Sequence, residues 1–202
     1  MTIRSVILFA AAATLAGVLT AHAETNFGHF VGKFVAAFGE DGRKVTLIEP
    51  YAFVDPVGKE WNVPDGYKTD GASVPAVLWA LYPPFTGKYR SAAVIHDYYC
   101  DTKKRTWQAT HEVFYYAMRA AHVDEKTAKV MYAAVYLLGP RWGPGTRALG
   151  NAPLKATPEQ QEALVEKLQQ LIDKENPDLD TLVAKAKQMS VRETVTKPDG
   201  TE

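Results

Sequence analysis

Cysteine is nearly absent from this chain. Cys100 is the only one among 202 residues, so no intramolecular disulfide can form. Stability has to come from an apolar core, and a chain that is 47% hydrophobic and 11% aromatic can supply one. Charge of one sign is missing too: 23 Lys and Arg balance 23 Asp and Glu. That balance leaves no electrostatic footprint for a nucleic acid and no polybasic patch for a membrane surface. There is no internal repeat. The nucleophile elbow of serine hydrolases is absent, because Gly71-Ala72-Ser73-Val74-Pro75 places proline where the second glycine belongs. His111-Glu112 continues as Val113-Phe114-Tyr115, which is not the H-E-x-x-H pattern of zinc proteases.

Long apolar runs are also lacking, with one exception at the start. Arg4 precedes an apolar stretch from Val6 to Leu19, and Ala21-His22-Ala23 makes a small-residue cleavage site before Glu24. The stretch is short for a membrane span, which needs ~20 apolar residues. The expectation is a signal peptide over 1–23, cut after Ala23, and a periplasmic or secreted mature protein. Its removal takes away one basic residue and no acidic one, so the charge balance persists.

The remainder divides by composition. Phe27 to Phe38 reads as an irregular strand or strand pair interrupted by Gly28 and Gly32, and Glu40-Asp41-Gly42 as a turn. Lys44–Glu49, Tyr51–Val54 and Glu60–Val63 read as short strands, with Asp55-Pro56-Val57-Gly58 and Pro64-Asp65-Gly66 as turns. From Ser73 the pattern turns helical. A first helix capped by Ser73 carries Val77, Leu78 and Leu81, and a second runs from near Ser91 to about Cys100. A third spans Trp107 to Ala121, and a fourth is capped by Asp124 and stopped by Gly139-Pro140. Beyond a Gly/Pro-rich stretch, Pro158–Lys174 and Pro177–Met189 are polar amphipathic helices, and residues 190–202 a frayed end. These last helices can pack on the domain, self-associate or stay mobile.

The densest chemistry lies in Tyr67–Pro75 and Ala92–Cys100. On a helix His96 and Cys100 are one turn apart, as are Asp97 and Asp101. His96 shares its face with core-like Ala92 and Ala93, while Asp97 lies about a quarter-turn round. The pair therefore points in two directions, one fit for a base and the other for a cation ligand or an orienting group. Asp70 sits in a Gly-containing turn where Gly71 would allow close backbone approach. Asp70 and Ser73 read equally well as an Asx-turn with a helix cap or as site residues. His111 on the following helix adds a second imidazole. Cys100 reads as a buried small apolar residue, and His29 and His122 as surface residues. Trp107, Tyr115, Tyr132 and Trp142 read as core.

These motifs are shared. Thr69-Asp70-Gly71-Ala72-Ser73-Val74-Pro75, Val77-Leu78-Trp79, Pro83-Pro84-Phe85, Ala92-Ala93-Val94-Ile95-His96-Asp97-Tyr98, Ala117-Met118 and Met131-Tyr132-Ala133-Ala134-Val135 together resemble a family of unassigned activity. That family is common in phages, prophages and bacterial genomes, and the likeness covers about residues 28–142. The His-Asp helix is more distantly similar to bacterial secreted phospholipases of the A-two type. That likeness implies His96 as the base activating water and Asp97 as a calcium ligand. His111 stands where that pattern has an orienting aspartate, and the glycine-rich calcium loop and the disulfides have no counterpart here.

The chain is therefore expected to be α+β, a short-strand antiparallel meander packed on three to four helices. A domain over 24–145 is followed by a helical tail over 146–202. The expected function is metal-assisted hydrolysis of phospholipid or cell-envelope substrates. His96, Asp97 and His111 would be catalytic, and Asp97, Asp70 and His111 would hold a divalent cation, calcium or zinc. Membrane lipid or an envelope component would be the partner, with self-association through the C-terminal helices. The competing expectation is a non-enzymatic binding module in which the His-Asp pair is structural.

Overall fold

A computed structural model describes residues 26–40, 44–70, 73–78, 87–143 and 156–195, with side chains described through residue 189. The expected signal peptide and the segment from Trp79 to Phe85 lie outside the described residues. Six short strands come first: β1 (His29–Val31), β2 (Ala36–Phe38), β3 (Val45–Leu47), β4 (Tyr51–Val54), β5 (Glu60–Val63) and β6 (Lys68–Thr69). A 3₁₀ turn (Ala76–Leu78) leads to five helices: α1 (Arg90–Thr102), α2 (Trp107–Ala120), α3 (Glu125–Leu138), α4 (Pro158–Glu175) and α5 (Leu179–Val195). The architecture is α+β, strands first and helices after.

The strands are antiparallel, but they interleave as two three-stranded sheets, β1-β4-β5 and β2-β3-β6, rather than following one another as a single meander. Alternation explains which faces are buried. In β5, Trp61 and Val63 are buried while Glu60 and Asn62 are exposed, and in β3, Val45 and Leu47 are buried. Phe53 pairs with both Phe30 and Trp61 across the first sheet. The β4–β5 turn is organised by Asp55, which accepts from the backbone N–H of Val57 (3.1 Å) and Lys59 (2.9 Å) and from Trp61 Nε1 (3.0 Å). Gly28 enters β1 at φ +88°, where an added Cβ would lie 2.2 Å from the Val54 carbonyl oxygen.

Three of the described helices, α2, α3 and α4, start with a side-chain cap, whereas α1 starts at Tyr89 without one. Thr106 accepts from Ala109 N, Asp124 from Thr127 N, and Thr157 forms a reciprocal capping box with Gln160 ahead of Pro158. Of the expected helix after Ser73, the described part is one 3₁₀ turn, closed by Leu78 N–H onto the Pro75 carbonyl, and Leu81 lies outside the described residues. The last helix extends to Val195 rather than ending near Met189.

α3 is buried along every residue from Ala128 to Leu137, as a helix apolar on all sides must be. It packs against α2 and also against α4 and α5. Leu164, Leu168, Ile172 and Leu182 of the last two helices are fully buried in the same core cluster as Phe53 and Trp61. The C-terminal helices thus spend their apolar stripe on the domain itself. Lys129, buried on α3, ties the layers together by pairing with Glu125 and donating to Asn176 Oδ1 at the end of α4.

Candidate functional site

α1 lies against β5 and β6 on one side and α2 on another, so its residues from Ala92 to Cys100 are all buried. This placement determines what His96 and Asp97 meet. His96, 0% exposed, approaches His111 of α2 with Nε2 2.9 Å from His111 Nδ1. His111, also 0% exposed, has its Nε2 3.1 Å from the Pro140 carbonyl oxygen. A carbonyl only accepts, so His111 carries its proton on Nε2 and offers a lone pair at Nδ1. The hydrogen in the shared bond therefore belongs to His96 Nε2. Cys100 Sγ, one turn on, is 3.6 Å from that same nitrogen. Phe114, Trp107 and Trp142 pack around the two imidazoles and exclude water.

The other face of His96 looks to Asp97. His96 Nδ1 is 3.8 Å from Asp97 Oδ1. Asp97 is 2% exposed; its Oδ2 accepts a short hydrogen bond from the Thr69 hydroxyl, while Oδ1 has no hydrogen-bond partner. Burial disfavours charge on His96, but the Cys100 sulfur and the Asp97 carboxylate outweigh it and raise the His96 pKa. Burial and then the positive charge on His96 push His111 the other way, and the Pro140 carbonyl only partly offsets them. The two neighbouring imidazoles are thus pushed in opposite directions.

Asp97 also walls a cavity of about 340 Å³, which Lys44, Lys68, Asp70, Ser73 and Asp101 complete, together with Thr69. Asp101 accepts from the Tyr67 hydroxyl at 2.8 Å. Burial, followed by the Asp97 and Asp101 charges, drives the Tyr67 pKa upward, so its phenol stays a donor. A second cavity of about 490 Å³ has Pro50, Tyr51, Pro64, Tyr98 and Tyr99 among its lining residues.

The expected residues thus separate into two places. Asp97 and Asp70 share the pocket, with Ser73, as the sequence suggested. His96 and His111 do not line it; they meet behind Asp97, inside the core. Gly71 lies outside the described residues. Asp101 and Cys100 enter the picture through their one-turn spacing from Asp97 and His96, a signal visible in the sequence. Lys44 and Lys68 gave no such signal, because their approach depends on β3 pairing with β6. His29 and His122 are exposed, and Trp107, Tyr115 and Tyr132 are buried.

A pocket of carboxylates and lysines, backed by a buried His-His-Cys cluster on a small α+β scaffold, defines the class of protein. Residues 45–135, which include nearly all of these groups, match the family described as "Protein of unknown function (DUF1353)". The chain is 43% identical over 148 residues to the uncharacterized protein y4jT of Sinorhizobium fredii, a match spanning 70% of this chain and 43% of that one. It is also 43% identical over 117 residues to the uncharacterized protein y4iH of the same organism, spanning 56% of this chain and 48% of that one. The chain therefore spans less than half the length of these relatives. No solved structure matches it.

Proposed function

We propose that the protein is an exported, divalent-cation-assisted hydrolase acting on anionic esters of phospholipid or the cell envelope, with the pocket beside Asp97 as its reaction site. The observation that carries this reading is Asp97 Oδ1, a carboxylate oxygen with no hydrogen-bond partner on a side chain 2% exposed, in the wall of a cavity shared with Asp70 and Asp101. That oxygen faces His96 Nδ1 at 3.8 Å, too far for a hydrogen bond, and oxygen donors of this kind suit a hard cation such as Ca²⁺ or Mg²⁺. Lys44 and Lys68 place positive charge where an anionic head group would sit. In this scheme the cation polarises the ester and Asp70, at the exposed rim, takes the proton of the attacking water. His96 is a positioning residue that holds the Asp97 carboxylate from behind.

Hydrolysis of anionic phospholipid vesicles and of soluble ester substrates, with Ca²⁺ or Mg²⁺ and with chelator, tests the reading. Turnover should need the cation and should fall about 10²-fold in Asp97→Asn with the helical circular dichroism unchanged. No cation-dependent turnover on either substrate type would overturn it. The complete burial of His96 sets aside the imidazole base expected from the sequence, since a general base must reach the proton it removes. It leaves as a second reading a binding module without turnover in which the His-Asp pair is structural. That reading predicts stoichiometric cation binding at Asp97 and no hydrolysis.

A further inference from the structure

We infer a second metal centre, distinct from the pocket: a site for one soft transition-metal ion, Zn(II) or Cu(I), formed by His96 Nε2, His111 Nδ1 and Cys100 Sγ. These three donor atoms all lie within 4.8 Å of one another, and all three side chains are buried. A single ion at ordinary metal–nitrogen and metal–sulfur distances, roughly 2.0–2.3 Å, bridges donors so spaced. Two helices hold them: α1 presents His96 and Cys100 one turn apart, and α2 supplies His111 from across the interface.

What lies behind the donors argues for a ligand set rather than a buried hydrogen-bonded pair. A metal-bound histidine commonly donates its remote N–H to a carbonyl or a carboxylate, which fixes the ring and raises its basicity. His111 is arranged that way, and His96 turns its remote nitrogen toward a carboxylate oxygen 3.8 Å away. His111 Nε2 donates to the Pro140 carbonyl, directing the Nδ1 lone pair inward. His96 Nδ1 faces Asp97 Oδ1, the oxygen with no hydrogen-bond partner. Coordination displaces the thiol proton of Cys100 and the Nε2 proton of His96, and leaves His96 protonated on Nδ1 toward that carboxylate. Gly139 makes room for the loop: a Cβ there would sit 3.3 Å from His111 Cε1 and 2.3 Å from the Val135 carbonyl oxygen. Thiolate and imidazole donors select a soft or borderline ion and reject calcium and magnesium. The inference does not rest on the hydrolase reading.

The test is metal binding by the whole mature chain, freed of metal and kept reduced. Co(II) serves as the spectroscopic probe, with Zn(II) titrated against a chromophoric chelator and Cu(I) titrated anaerobically against a competing ligand. One equivalent should bind, and Co(II) should show a thiolate-to-cobalt charge-transfer band. Cys100→Ser should abolish that band, and His111→Gln should weaken binding at least tenfold. Asp70→Asn should leave this centre unchanged while weakening the pocket's hard cation, which separates failure of one site from failure of the other. Tight Zn(II) binding without Cu(I), or the reverse, identifies the ion. Absence of a thiolate band in the wild type, or equal affinity in Cys100→Ser and His111→Gln, would overturn the inference. The wild-type band needs no variant to fold.

Discussion

Asp55 shows how much one side chain can specify. Its two oxygens accept from two backbone N–H groups and an indole N–H, closing the β4–β5 turn onto the ring of Trp61. Trp61 is 1% exposed and packs edge-on against Tyr99 of α1 at 4.8 Å. Asp55→Ala leaves the indole donor and two turn amides short of their acceptor. We expect a loss of ~1–3 kcal/mol, read by urea unfolding, with Asp55→Asn recovering part of it. An alanine variant as stable as the wild type would show that water replaces the carboxylate at no cost. The same scale governs the site. Asp97 Oδ2 accepts from the Thr69 hydroxyl and Oδ1 faces His96 Nδ1 at 3.8 Å, so two neighbouring side chains set how the carboxylate is held.

At the scale of elements, the helix starts carry measurable energy. Asp124 caps α3 by accepting from Thr127 N at 2.9 Å. Its partial burial works against the charge, but the Thr127 amide and hydroxyl outweigh that and lower its pKa below the ordinary carboxylate value. The sign follows from linkage. A depressed folded pKa contributes stability that is complete above the ordinary value and is lost as pH falls through the folded one. Asp124→Ala should therefore cost about 1 kcal/mol at neutral pH, and the gap to wild type should narrow as the solution is acidified. Melting curves at neutral pH and below the ordinary carboxylate range check this; a gap independent of pH would refute the charged-cap account. The fourth expected helix was legible in the sequence for this reason, with Asp124 as its cap and Gly139-Pro140 as its stop, while Thr106 and Thr157 were seen as caps only in the structure. The 3₁₀ geometry of Ala76–Leu78 was not legible, because apolar periodicity does not separate a 3₁₀ turn from the first turn of an α-helix.

For the molecule as a whole, α3 is the pivot. It touches α2 on one side and α4 and α5 on the other, and no face of it reaches water between Ala128 and Leu137. A chain ending at residue 155 would bare the side that Leu164, Leu168 and Ile172 cover. We expect such a truncation to melt far below the full chain and to self-associate, as size-exclusion chromatography would reveal. A monomeric truncation with an unchanged melting temperature would sink this view of α3. At a finer grain Leu168→Ala, at a fully buried position, should cost about 2–5 kcal/mol.

The sequence by itself determined the α+β order of strands then helices, most helix boundaries, the Asp124 cap, the balance of charge and the family likeness, all of which depend on residues close in the chain. It also marked His96, Asp97, Asp70 and His111 as the chemical residues. Only the tertiary structure decided how they divide. Helical periodicity puts His96 and Asp97 a quarter-turn apart, but it does not say that α2 covers the first while β6 and its neighbouring loop leave the second beside a cavity. The role of Cys100 changed for the same reason: one turn from His96 it reads as core, and only the arrival of His111 from α2 makes the three into a ligand set. Packing across elements supplied what local pattern could not, because a site is assembled from groups whose separation in sequence carries no record of their distance in space.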